Sequence, residues 1–229
     1  MDLTPEKIRW ILIYVFVLLI SVALHEFGHA IMANTLGDDT PRRQGRVTLN
    51  PLAHADPIGT FLLPLVGSIF GAATGHGGGF GWGKPVQWQP QRATRKISMS
   101  TAVVLVAIAG PAMNVVLATV IAAIHIILVG QHVVSPDSEV SQILFFAVSL
   151  NFVLFFFNLL PAPPLDGGHV AQSLVPDRHR DAYDIFAKYS PFLILAVMLI
   201  PQVQRIFTWP AGFCTTHLYQ FFGHLFGVS

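Results

Sequence analysis

The chain has 229 residues, of which 53% are hydrophobic and only 11% charged, with a mean hydropathy of +0.60 and a formal net charge of +1. This composition excludes an ordinary soluble domain and, without a basic stripe, a nucleic-acid-binding protein; it predicts an all-α polytopic membrane protein, a single domain over 1–229, whose partners are the lipid bilayer and what lies in it. The lone cysteine, Cys214, excludes an intrachain disulfide and a thiolate metal site, and packing is its expected role.

A first apolar helix is predicted from Ile8 to Thr35, long enough at ~1.5 Å per residue to cross a hydrocarbon core of ~30 Å. Lys7 and Arg9 precede it, but the run contains no small-residue cleavage site, so the helix is expected to be retained. Gly37, Asp38 and Asp39 end it. Arg42, Arg43 and Arg46 follow, then Val47-Thr48-Leu49 as a candidate short strand and the turn-rich Asn50 to Pro57. Ile58 to Ala73 is apolar, but Gly59, Pro64, Gly67 and Gly71 interrupt it, which suits a re-entrant segment or hairpin as well as a span. A glycine-rich loop, Gly75 to Gly83, leads into Lys84 to Trp88, an expected edge strand.

Thr101 to Val129 carries no charge and is predicted to span, with a kink at Gly110-Pro111. Val140 to Leu165 is also uncharged, and its helix is expected to end near Pro161 because Pro161, Pro163 and Pro164 cannot continue it. After the polar stretch Asp177 to Lys188, Pro191 to Val203 begins a shorter apolar helix, and the aromatic tail Trp209 to Ser229 suits an interfacial helix or a final span. In all, about four to six membrane segments are expected, with a small re-entrant or β-strand element between the first two firm spans. There is no internal repeat and no polar stretch long enough for an inserted soluble domain.

Charge gives the orientation. Arg92, Arg95 and Lys96 before the Thr101 helix, and Arg178, Arg180 and Lys188 after Asp166, are basic, whereas the connector Gly130 to Glu139 has no Lys or Arg, so the two basic regions are expected on the cytoplasmic side. For Asp166 to meet a site in the second half of the first helix, that helix must run inward and Ile58 to Ala73 must return to the side it left.

The first helix contains His25-Glu26-Phe27-Gly28-His29. Residues four apart lie 40° from each other around a helix, so both imidazoles can reach one metal ion, with Glu26 beside them as a base rather than a ligand. The competing reading is a helix with two packed histidines, but unpartnered imidazoles and a carboxylate in hydrocarbon would cost several kcal/mol. Asp166 is the candidate third ligand. It follows a proline-rich stretch at the end of a spanning helix and precedes Gly167-Gly168; its competing role is to cap the following helix. His, His and Asp leave a fourth position open, as catalytic zinc requires.

These motifs resemble the site-2 protease family of intramembrane zinc metalloproteases in its short form, without an inserted PDZ domain. The resemblance rests on HEFGH, on Gly110-Pro111-Ala112-Met113-Asn114 and on Asn158 to Gly168. It implies one zinc on His25, His29 and Asp166, Glu26 as catalytic base, and a membrane-protein substrate cut in or near its transmembrane segment, in the plasma membrane of a prokaryote with the site toward the cytoplasm. It also implies that Asn114 faces the site and helps hold substrate or the developing oxyanion, where the plainer reading is an interhelical hydrogen bond. Asn158 is expected to orient the Asp166 turn, and His169 is the histidine best placed to support the site. His54 reads as a loop histidine satisfied by backbone, or as a contact at the site mouth. His76, His125, His132, His179, His217 and His224 have no ligand spacing. Two other classes compete: an inert adaptor of the same fold, against which Glu26 is intact, and a metal or proton transporter, against which there are no repeat-related broken helices.

Overall fold

The computed structural model describes residues 4–74 and 81–228. Helix α1 covers Pro5–Thr35, α2 Thr40–Arg43 and α3 Pro51–His54; a π-helical turn at Pro57–Leu62 opens α4, Leu63–Thr74. Then come α5 (Met99–Gly130), α6 (Glu139–Asn158), α7 (Asp166–Leu174), α8 (Arg180–Leu199) and α9 (Pro201–Phe226). Among the described residues, four helical segments are long and apolar enough to cross a membrane: Pro5–Thr35, Met99–Gly130, Glu139–Asn158 and Asp177–Leu199.

The long helices start where local chemistry sets them. Thr4 accepts a hydrogen bond from Lys7 N at 3.4 Å ahead of Pro5, Ser98 accepts from Thr101 N at 3.0 Å, and Ser138 from Ser141 N at 3.3 Å. Helix α5 is the hub, packed on α1, α6, α7 and α9. Ala118, Ala122, Val148, Phe152, Ala211 and Phe222 form one core between α5, α6 and α9, with Cys214 packed against it.

Helix direction is legible from the contacts at each end. Arg9 pairs with Glu139 at 2.9 Å, which puts the start of α1 beside the start of α6 and the connector before it. Thr94 N donates to Leu36 O at 2.6 Å, which puts the end of α1 beside the basic flank that precedes α5. Trp82 N donates to Gly59 O at 3.0 Å and Thr60 Oγ1 to Trp82 O at 2.8 Å, so at residue 82 the chain is back beside the point where the α4 segment began.

Two expectations change. No β-strand pairs among the described residues, neither at Val47 to Leu49 nor at Lys84 to Trp88. The latter stretch is extended, but its donors are taken elsewhere: Lys84 N by His54 O at 2.8 Å, Val86 N by Glu26 Oε2 at 3.1 Å and Gln89 N by Asp38 Oδ2 at 2.5 Å. Helix α8 also starts at Arg180 rather than near Pro191, which lies inside it. Pro191 supplies no N–H for Ala187 O, and the Ser190 hydroxyl lies 2.9 Å from that carbonyl and donates in its place. His76 and most of the glycine-rich loop lie outside the described residues.

Asp38, just past α1 and fully buried, fastens the extended segment to the helix. Burial alone would raise its carboxyl. Hydrogen bonds from the Thr40 hydroxyl, Gln89 N–H and Thr40 N–H, with Arg92 nearby, outweigh burial and hold it below the usual range. A depressed folded pKa gives stability that is present above the unfolded value of about 3.9 and is lost as pH falls through the folded value. Asp38→Ala is therefore expected to melt below wild type by a margin that is constant from pH 7 to about 5 and shrinks below pH 4, as read from thermal unfolding in detergent.

Candidate metal centre

Helix α1 brings His25, Glu26 and His29 to a seam with α5 because the residues facing each other there are small. A Cβ at Gly28 would lie 2.5 Å from Ala109 O and 2.7 Å from Met113 Cγ, so only glycine lets the two backbones come this close. His25, Glu26 and His29 are all buried.

Both imidazoles are fixed from behind. His25 Nδ1 lies 2.8 Å from Asn114 Oδ1, and His29 Nδ1 lies 2.7 Å from Val106 O. Each partner is an acceptor, so each Nδ1 carries the proton and each Nε2 presents a bare lone pair. Val106 sits five residues before Pro111 in α5, and its carbonyl oxygen has a second lone pair with which to take the imidazole proton.

Asp166 is the first residue of α7. A Cβ at Gly168 would lie 2.7 Å from Ala162 C, and one at Gly167 2.5 Å from Leu159 C, so the turn closes only with glycines there. Tyr183 OH donates to Gly168 O at 2.5 Å, and Ser190 Oγ shares its one proton between Pro163 O and Ala187 O, which ties α8 to the turn. Asn158 does not orient it: its amide donates to Leu154 O in its own helix at 2.9 Å. Tyr183 and Ser190 do this work. Both sit in the stretch where the sequence reading expected no helix or the very start of one.

The two Nε2 atoms are 3.0 Å apart, and Asp166 oxygens lie 3.1 Å from that of His25 and 3.3 Å from that of His29. Asp166 Oδ2 is buried and has no hydrogen-bond partner. With both imidazole protons committed at Nδ1, nothing but lone pairs faces the centre, an arrangement that repels itself unless a cation lies among them. A tetrahedral ion with bonds of about 2.0–2.1 Å holds neighbouring ligand atoms about 3.3 Å apart, close to these separations. His25, His29 and Asp166 are the group of His, Cys, Asp and Glu among the described residues that could hold a metal ion. The donor set therefore fits one zinc ion.

Glu26 is not in that group, and its carboxylate faces the extended segment, where Oε2 accepts from Val86 N. A Cβ at Gly83 would lie 2.6 Å from Val22 Cγ1 and 3.0 Å from Glu26 Cγ, so the segment is laid directly on α1 at the motif. Arg46, also buried, donates to Ala53 O at 2.5 Å and reaches Lys84 O at 3.5 Å, fastening the segment from its outer side. His54, the last residue of α3, is buried and held by backbone, as one of its two readings has it: its Nε2 donates to Thr48 O at 2.9 Å, and its Nδ1 is without a partner. His169 is exposed and gives the site no support. His125 is held between Tyr219 OH and Ser141 Oγ, far along α5 from the centre.

Asn114 is wholly buried, and its oxygen belongs to His25 while its amide donates to Ser21 O at 3.2 Å and Asn151 Oδ1 at 2.9 Å. Both amide hydrogens are spent, which leaves none to donate to an oxyanion. Asn114 therefore makes the interhelical hydrogen bonds of the plainer expectation rather than an oxyanion contact, and reaches the centre only through His25.

Gly110 forms the wall on which the ligand atoms converge: a Cβ there would overlap His29 Nε2 and lie 2.8 Å from His25 Nε2. Gly110→Ala should displace the imidazoles and lower bound zinc at least tenfold, as measured by metal analysis of purified protein, with zinc-free stability lowered because the methyl group must be fitted against two buried rings.

Comparison with known proteins agrees with the geometry. Residues 13–138 and 125–201 match the sequence profile of Peptidase family M50. The chain is 35% identical over 199 residues to "Putative zinc metalloprotease YwhC" of Bacillus subtilis (strain 168), covering 86% of this chain and 84% of that protein. It is 32% identical over 211 residues to "Putative zinc metalloprotease Rip2" of Mycolicibacterium smegmatis, covering 89% and 74%. No solved structure matches. With its four membrane-length helices and these matches along most of its length, the chain is a multi-pass membrane protein and belongs to peptidase family M50.

Proposed function

We propose that the chain is an intramembrane zinc metalloprotease that hydrolyses a peptide bond in or near a transmembrane segment of a membrane-protein substrate, with its site toward the cytoplasmic face of a prokaryotic plasma membrane. The observation that carries this is the convergence of three lone-pair donors, with both histidine protons anchored behind them and Glu26 alongside. His25 Nε2, His29 Nε2 and Asp166 would hold the zinc. When bound, zinc supplies a Lewis acid for the scissile carbonyl and lowers the pKa of water to about 7.

Glu26 does the proton work. With Oε2 stabilised by Val86 N–H, its other oxygen is left to take the proton from the attacking water and deliver it to the leaving amine. A helical substrate has its carbonyls bonded internally and must unwind before attack. The extended segment from Gly83 to Trp88 is laid on α1 at the motif, and an unwound stretch of substrate would be received along it next to Glu26.

Glu26→Gln is expected to retain zinc while cleavage of a membrane substrate in detergent falls by about 10²–10⁴-fold, and comparison of membrane proteomes with active and Glu26→Gln protein should reveal substrates that accumulate uncut. Equal cleavage by both forms would overturn the assignment. Bound zinc without cleavage by either would favour the inert adaptor, and metal flux into proteoliposomes preserved in Glu26→Gln would favour transport. Because the centre is self-repelling when empty, stripping zinc with a chelator should lower the melting temperature, and readdition should restore it.

A further inference from the structure

Behind His25 lies a chain of buried polar groups crossing three helices, and none of them touches the proposed zinc or substrate. Its hydrogen-bond directions can be deduced from its ends. Ser21 Oγ lies 2.8 Å from Val17 O, a carbonyl that only accepts, so the hydroxyl donates there and keeps a lone pair free. One terminal group of Asn151 lies 3.0 Å from Ser21 Oγ and 2.9 Å from Ala147 O, both acceptors, so that group is the NH₂ and the Asn151 oxygen faces Asn114. The Asn114 group between Asn151 Oδ1 and Ser21 O must in turn be its NH₂, which aims its oxygen at His25 Nδ1. Every step follows from backbone carbonyls, which cannot turn over.

We propose that Asn151, oriented by the Ser21 hydroxyl, is a positioning residue for His25: together with the Ser21 carbonyl, whose contact with the Asn114 amide is the longer of the two, it keeps that amide from flipping and thereby holds His25 in the Nδ1–H tautomer whose Nε2 lone pair faces the centre. This rests on the metal reading above. With Asn114 flipped, its NH₂ would face His25, the proton would move to Nε2, and the ligand lone pair would be lost. The surroundings give the relay its hold. Ser21, Asn114 and Asn151 are fully buried, and Ser21 and Asn151 back onto a groove of about 510 Å³ lined by apolar side chains including Leu12, Phe16, Ile20, Leu117 and Ile143. In hydrocarbon no water replaces a lost partner, so each mismatched donor or acceptor costs several kcal/mol. His29 needs no such relay because its Nδ1 meets a backbone carbonyl directly.

The test uses full-length protein in detergent. Zinc affinity is measured by chelator competition for wild type, Asn151→Leu, Ser21→Ala and the double variant, with thermal unfolding of each zinc-free form in parallel. Asn151→Leu is expected to weaken zinc 10–100-fold and Ser21→Ala by less in the same direction, with the double variant no weaker than Asn151→Leu, and zinc-free stability is expected to fall in Asn151→Leu, which leaves buried polar groups unpaired. Zinc affinity within twofold of wild type in both single variants, with zinc-free stability lost, would make the relay merely structural and overturn the proposal. If Asn151→Leu does not fold, Ser21→Ala, which deletes one hydroxyl, decides alone. Nitrogen-15 NMR of histidine in the zinc-free protein reads the tautomer without zinc: His25 should carry its proton on Nδ1 in wild type and on a mixture of both nitrogens in the variants, and Nδ1–H throughout would sink the relay. A wild type that binds no zinc overturns the metal reading instead, a result the tautomer spectra keep separate.

Discussion

The structure depends on keeping two imidazole lone pairs and a carboxylate within about 3 Å of one another inside a bilayer-sized bundle. Left alone, these groups would turn away, reprotonate or drag in water. Three features prevent this. Small residues at the α1–α5 seam remove the room to turn, Val106 O and Asn114 Oδ1 hold the protons at the far side of each ring, and the glycine-closed turn before α7 presents Asp166 from the opposite side. Removing any of them leaves the other two without a purpose, so the three long helices and the short α7 act as one device despite being far apart in the chain.

A hydrolase in a membrane also needs water at a depth where there is little. His29 is six residues from Thr35, so at about 1.5 Å per residue the centre sits about 9 Å from the end of α1. The layer covering that end is not hydrocarbon-like. It is built from the extended segment, the loop carrying His54 and the buried groups of Asp38 and Arg46, all bound to backbone atoms. The same layer supplies the amide that faces Glu26, so the entrance for water and the orientation of the base depend on the same few hydrogen bonds.

Much of this was legible in the sequence. The uncharged runs gave the ends of α1, α5 and α6 to within a few residues, because hydrophobic length and capping residues are local signals. HEFGH and the Asp166 turn were readable for the same reason: spacing four on a helix, and glycines after a proline-rich stop, have meaning without knowledge of distant contacts. Ser21 and Asn151 were invisible, since a serine or asparagine in an apolar run looks alike whether it packs helices or directs a tautomer. The edge strand at Lys84 to Trp88 failed as a reading because alternation reveals an extended backbone but not its partners, and here the partners are two carboxylates and a loop carbonyl. Pro191 misled in the opposite way; Ser190 repairs its lost hydrogen bond, and nothing in the local pattern marks that repair.

The contrast between the two histidines shows why the polar relay exists. His29 lies against a backbone carbonyl of α5, that of Val106. His25 is one turn earlier on α1 and meets α5 more than two turns further along, at the side chain of Asn114. A side chain must then do what a carbonyl does for His29, and an amide, unlike a carbonyl, has two orientations of opposite chemical sense. A second amide and a hydroxyl anchored on carbonyls remove that ambiguity. The room left by Gly110 lets both ligand atoms converge, while the protons behind them are held by a carbonyl of α5 for His29 and by an amide braced from α1 and α6 for His25.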